Sequence, residues 1–229
     1  MKIAVMQPYL FPYLGYYQLC NAVDKFVFYD DVNYIKQGYI NRNNILCKGE
    51  ALRFTLSVPN ASSNKKIKDL QFSTDVRKIL ETVKQSYSKA PYFSEVYPFI
   101  EEVFFQKDRS ISGVCRASIE SIFNYLGISK EIYLSSEIEY DREASAADRL
   151  VEITTNFGGR IYVNSPGGMA LYEKEYFQSK GIELSFIKMR NVSYKQSAHE
   201  YVPNLSMIDV VMWNSKPDVI KYLSQYDFI

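Results

Sequence analysis

The sequence predicts an α/β fold: an open, largely parallel sheet with helices on both faces. Two observations carry this. The first 30 residues read strand, loop, helix, strand, and strands joined through a helix run parallel. From residue 132 onward strand and helix signals alternate again, punctuated by glycines. A third observation supplies the core such a fold needs. Of 229 residues, 47% are apolar and 23% charged, which excludes a disordered chain and suits one domain over 1–229.

Residues 2–7, KIAVMQ, form a short apolar run that Pro8 ends, as a buried strand would. Pro8 and Pro12 enforce a loop. Leu14, Leu19, Ala22 and Val23 mark the apolar side of a helix over 13–23. KFVFY at 25–29 is a second strand ending at Asp30-Asp31. Residues 32–58 read as extended pieces or hairpins near 33–37, 39–46 and 51–58, turned at Gly38 and Gly49. The polar stretch 59–68 reads as a surface loop. Helices are expected over 74–88, 92–106 and 110–126, the last ended by Gly127. This gives a helix-rich insertion at about 60–128. Strands follow at 132–136, 160–164 and 182–187, and helices at 143–157, 169–179 and 216–226. The sum is a Rossmann-like open sheet of about five parallel strands.

Composition excludes several functions. Lys plus Arg is 27 against 26 for Asp plus Glu, a balance that gives no footprint for nucleic acid. One histidine, His199, rules out a His-rich metal site. Cys20, Cys47 and Cys115 are widely spaced with no CxxC, so no zinc ribbon or thioredoxin motif is present. Free thiols and the lack of an apolar run long enough for a span point to a cytoplasmic chain. Haem, flavin, zinc and iron–sulfur clusters are not expected. The excess is in tyrosine: 20 residues, seven of them in the first 40. Their apolar rings and polar tips suit pocket walls as well as packing.

Ligands of open parallel sheets bind beyond the carboxyl ends of the strands. Four segments follow strand ends: Gln7–Tyr16, Asp30–Arg42, Ser135–Glu139 and Asn164–Gly168. In the first, Gln7, Tyr9, Phe11, Tyr13, Gly15 and Tyr16 are candidate binding residues, with Gly15 admitting an anion to the next helix's N–H groups. A rigid connection with packed rings is the alternative. In the second, Asp30 or Asp31 would hold Mg²⁺ or a sugar hydroxyl, and Lys36 and Arg42 an anion, with Tyr34, Asn41 and Asn43 beside them. Turn chemistry with surface ion pairs is the alternative. Asp31, Lys36 and Arg42 are the candidate catalytic groups, Asp31 as a base. Gly167-Gly168 makes either a phosphate-compatible turn or a plain one. Tyr194, Gln196, His199 and Asp209 remain, the histidine reading as structural more readily than catalytic.

The string MKIAVMQPYLFPYLGYYQLCNAVDKFVFYDDVNYIKQGYINRNNIL closely resembles the WbqC-like family. YVNSPGG with LY near 162–172, YKQ at 194–196 and PNLSMIDVVMW at 203–213 extend the resemblance along the whole chain. It implies work within bacterial surface polysaccharide (O-antigen) loci, on a nucleotide sugar or another small phosphorylated ligand. A weaker similarity is to HIGH-motif nucleotidyltransferases. Tyr13-Leu14-Gly15-Tyr16 takes the motif's position, with Gly15 matching and tyrosines replacing both histidines. The expected activity is that of a transferase or ligase on a nucleotide-linked amino sugar, with ATP and Mg²⁺ as cofactors where an amide is formed. The alternative is a noncatalytic module that captures a glycan intermediate or a partner.

Overall fold

The computed structural model describes residues 1–190, 192–198 and 200–229, so His199 lies outside the described residues. The expected α/β architecture is present, with six strands in the main sheet rather than about five. β1 (Lys2–Met6), β2 (Lys25–Phe28), β5 (Ile132–Leu134), β6 (Ile161–Asn164) and β7 (Glu183–Met189) are joined by β8 (Tyr226–Phe228). Their order is β5-β2-β1-β6-β7-β8. The first five are mutually parallel, and β8 runs antiparallel along β7.

β1 and β2 are buried on both faces, which is why they read as unbroken apolar runs. Successive side chains then serve two cores. Ala4, Phe26, Phe28, Val163 and Ile187 face one, completed by α1 (Leu14–Ala22), α2 (Arg77–Tyr87), α3 (Phe93–Phe105), α4 (Ile111–Tyr125), α7 (Met207–Trp213) and α8 (Lys216–Leu223). Ile3, Val5, Val27, Tyr162, Leu184 and Phe186 face the other, covered by α5 (Ala146–Asn156) and α6 (Lys174–Ser179).

Helix boundaries follow from capping. Ser110, Ser145, Ser206 and Ser215 each accept a backbone N–H of the turn they open. Gly127 and Gly158 adopt φ of +74° and +68° just past α4 and α5, the left-handed stop that glycine makes cheaply.

Three expectations are corrected. Residues 33–37 are irregular, and the extended material is one hairpin, β3 (Arg42–Cys47) and β4 (Glu50–Thr55). The helix expected at 169–179 is shorter: the expected turn before it is a 3₁₀ turn, Pro166–Ala170, and α6 starts only at Lys174. The tail holds α7 and β8 in addition to α8, which is shorter than expected. Cys20, Cys47 and Cys115 are unpaired. Burial pushes the Cys20 thiol up to about 12, so it stays protonated. Among the described residues, no helix is long and apolar enough to cross a membrane.

Candidate functional site

β1 and β6 lie side by side and parallel. The chain proceeds from β1 to β2 on one side and from β6 to β7 on the other. Connections that diverge in this way open a crevice beyond the carboxyl ends of the two strands. A cavity of about 700 Å³ lies there. Gln7, Pro8 and Tyr9 enter it from the end of β1, and Tyr29 and Val32 from the end of β2. Asn164, Ser165, Gly167 and Gly168 enter from the end of β6. Arg149 and Leu150 face it from α5, and Ile35, Tyr39 and Ile40 from the connection to β3.

Seven tyrosines line the cavity: Tyr9, Tyr13, Tyr16, Tyr29, Tyr39, Tyr162 and Tyr172. The Tyr9 ring meets Tyr16 edge-on at 5.9 Å between centres and Tyr39 at 5.8 Å. Burial raises the hydroxyls of Tyr9, Tyr13, Tyr16, Tyr29, Tyr162 and Tyr172 above the phenol range. They are therefore neutral hydrogen-bonding groups with apolar faces, not phenolate bases. Among the described residues lining the cavity, Arg149 is the one charged side chain.

The β1–α1 loop is held from below. Phe11 is fully buried at φ +41°, a left-handed backbone costing about 1–3 kcal/mol for a bulky residue. Three hydrogen bonds hold it there. Its N–H donates to Ser118 Oγ (3.1 Å), and its carbonyl accepts from Asn43 Nδ2 (2.6 Å) and Ser206 Oγ (2.7 Å). Phe11 and Asn43 thus support the loop rather than line the cavity. Tyr16 donates to the Gln7 carbonyl at 2.8 Å, so its hydroxyl proton is committed to the loop while its ring forms wall. Gly15 is likewise absent from the lining. A Cβ there would come within 2.5 Å of Tyr13 Cε2, so glycine allows that ring to lie over the start of α1.

Asp30 and Asp31 do not reach the cavity lining. Asp30 accepts from Ser112 Oγ (3.0 Å), Ser136 N (3.0 Å) and Ser136 Oγ (3.0 Å), and its own N–H donates to Ser135 Oγ (3.0 Å). Asp31 accepts from Tyr140 Oη (2.7 Å), Arg142 Nε (2.8 Å) and Ser135 Oγ (2.5 Å). Burial pushes the Asp31 carboxyl up, and the bonds from Ser135, Tyr140 and Arg142 outweigh it to leave the group lowered. These are carboxylates saturated by protein donors. A resident Mg²⁺ needs free oxygens and open coordination positions, so the Mg²⁺ expected at Asp30 does not fit this set. Among the described residues, no group of three or more His, Cys, Asp or Glu side chains is placed to hold a metal. The Ser135–Glu139 segment supplies the clamp under both aspartates.

Lys36 and Arg42, with Tyr34 and Asn41, line a separate cavity of about 230 Å³. Asn41 Nδ2 donates to the Leu56 carbonyl at 2.9 Å. The Arg42 guanidinium lies 6.0 Å from the centre of the Tyr39 ring, and its buried Nε has no hydrogen-bond partner. Tyr194 and Gln196 also sit apart. Tyr194 packs edge-on to Tyr201, and the Gln196 amide pairs with both the N–H and the carbonyl of Val202. Asp209 is buried on α7, accepting from Tyr87 Oη at 2.9 Å.

The WbqC-like protein family matches residues 7–221. The chain belongs to this family. The matched span takes in both strand ends of the crevice and the arm that carries Arg149. Uncharacterized protein Rv1507c of Mycobacterium tuberculosis (strain ATCC 25618 / H37Rv) is 26% identical, over 98% of this chain and 99% of that protein. No solved structure matches this WbqC-like chain.

Sequence reasoning missed Arg149 on α5 and Tyr172, which line the cavity from outside the four segments it singled out; α2 also opens on Arg77, so no local pattern marks Arg149.

Proposed function

We propose that the cavity binds a nucleotide-linked sugar used in bacterial surface-glycan (O-antigen) precursor synthesis, and that the chain acts on it as a transferase or ligase. Amide formation on an amino sugar is the concrete form of this reading. The observation that carries it is the tyrosine-walled cavity at the carboxyl ends of β1 and β6. Aromatic faces suit the C–H surface of a sugar and the plane of a base. Gln7, Asn164 and Ser165 supply polar groups to fix orientation. With no resident Mg²⁺ site at Asp30, ATP used in such a reaction would bring its own cation. Lys36 and Arg42, which line the neighbouring cavity, would receive a second anionic group.

A second reading has its own support. Among the described residues lining the cavity there is no His, Asp, Glu, Cys or Lys. Amide formation needs a group to accept the amine proton. A cavity without one also suits capture of a glycan intermediate without turnover. Calorimetric titration with a panel of nucleotide sugars and ATP decides the first point. Heat of binding for a nucleotide sugar supports the reading, and no heat for any of them sinks it. Mass spectrometry of the bound sugar after incubation with ATP and amino-acid or acyl donors decides the second. An unchanged ligand favours capture.

A further inference from the structure

We infer that Arg149, with the hydroxyls of Tyr29 and Tyr172, forms an anion site that anchors a phosphate or diphosphate group of the ligand. The inference rests on the reading of the cavity as a ligand site, and not on whether the chain is a catalyst.

Arg149 is the one charge among the described residues lining an otherwise apolar and tyrosine-rich cavity. Its Nε is buried and has no hydrogen-bond partner, and no carboxylate of the described residues lies within ion-pair distance. A buried guanidinium N–H without an acceptor is costly; Arg42, Arg109 and Arg116 also carry one, but of these four arginines Arg149 is the one that lines this cavity, where an acceptor can enter. Arg142, seven positions earlier, shows the contrast. Its Nε donates to Asp31 at 2.8 Å, and its terminal nitrogen reaches the Ile138 carbonyl at 3.0 Å.

Tyr29 adds a second observation. Its Oη is also buried and lines the cavity, with the Tyr140 hydroxyl as its neighbour but no hydrogen bond of ordinary geometry. Tyr172 lines the same cavity, so the Arg149 fork and the Tyr29 and Tyr172 hydroxyls open into one space. A planar fork of N–H donors flanked by neutral O–H donors is a phosphate-binding set. The apolar surroundings strengthen each charge-assisted bond. A phosphate held there leaves Tyr9 and Tyr39 for the ring-bearing part of the ligand.

The test uses the full chain with inorganic pyrophosphate as probe, comparing wild type, Arg149→Met and Arg149→Lys by calorimetry. Circular dichroism confirms that each variant is folded. Wild type should bind, and Arg149→Met should lose affinity by about ten- to a hundredfold, as expected for charge-assisted bonds. Arg149→Lys, which keeps the charge but not the fork, should fall between. Equal affinity of wild type and Arg149→Met, or no binding by wild type, overturns the anchor. The parent reading fails separately: pyrophosphate binding that depends on Arg149, with every nucleotide sugar rejected, keeps the anchor and removes the proposed substrate.

Discussion

Asp31 has no exposed side-chain surface, and its ion-pair partner Arg142 keeps about a third of its own in solvent. Breaking a buried pair by removing one partner strands the other. Asp31→Ala should therefore destabilise the chain by about 3 kcal/mol, the low end of such losses given the exposed arginine, as read by urea denaturation. Because its folded carboxyl is lowered, the stability it lends is present at neutral pH and lost as pH falls below the normal carboxylate range. Asp209 behaves oppositely. Burial raises it to about 6, with Tyr87, Gln196 and Tyr194 pulling the other way. A carboxyl raised in the folded state favours folding when protonated, and that contribution fades as pH rises through about 6. Stability measured by urea denaturation from pH 5 to pH 8 should fall less in Asp209→Asn than in wild type, by about 1.5 kcal/mol across the range. The sequence marked Asp30-Asp31 as unusual but misplaced their role. Their donors Ser135, Ser136, Tyr140 and Arg142 lie more than a hundred positions away, where no local pattern reports them.

The loop from Gln7 to Tyr13 is rigid because three distant elements grip Phe11. Ser118 comes from α4, Asn43 from β3 and Ser206 from the cap of α7. Asn43→Ala and Ser206→Ala should each cost about 1–2 kcal/mol. Together they should cost more than their sum, since the first substitution leaves the Phe11 carbonyl one donor and the second leaves none. A double-mutant cycle in urea measures this coupling. At this scale the sequence was most legible where periodicity and caps agree. α2, α3 and α4 lie within three residues of their expected limits because each has one apolar stripe. α7 escaped because Met207 to Met212 are all buried, leaving no polar face to give a period. The turn at 165–168 was legible from its proline and glycines; what escaped is that it runs on to Ala170, so that α6 starts only at Lys174.

At the scale of the molecule, the cavity gathers residues from positions 5 to 40 and 146 to 172, so it exists only once the strand order is set. The rule that ligands sit beyond strand carboxyl ends led to Gln7, Tyr9, Gly167 and Gly168, which all line the cavity. It could not separate the cavity proper from the neighbouring one at Lys36 and Arg42, because that division depends on how the connection to β3 folds over. Walls drawn from both cores mean that a bound ligand ties the two helical layers to one sheet. A nucleotide sugar at a hundred times its Kd should stabilise the chain by about 2.7 kcal/mol. For a chain of this size that raises the thermal midpoint by about 5–10 °C, measurable by differential scanning fluorimetry.

The tyrosine wall has an optical consequence. Trp213, on α7, is the one tryptophan against 20 tyrosines, and it is not among the residues lining the cavity. Excited at short ultraviolet wavelengths, much of the chain's light is absorbed by phenol rings, and seven of those rings face the cavity. A base stacked on them would dim the phenol emission near 300 nm while excitation confined to the indole would register little. The ratio of the two signals would report occupancy of the cavity without any label.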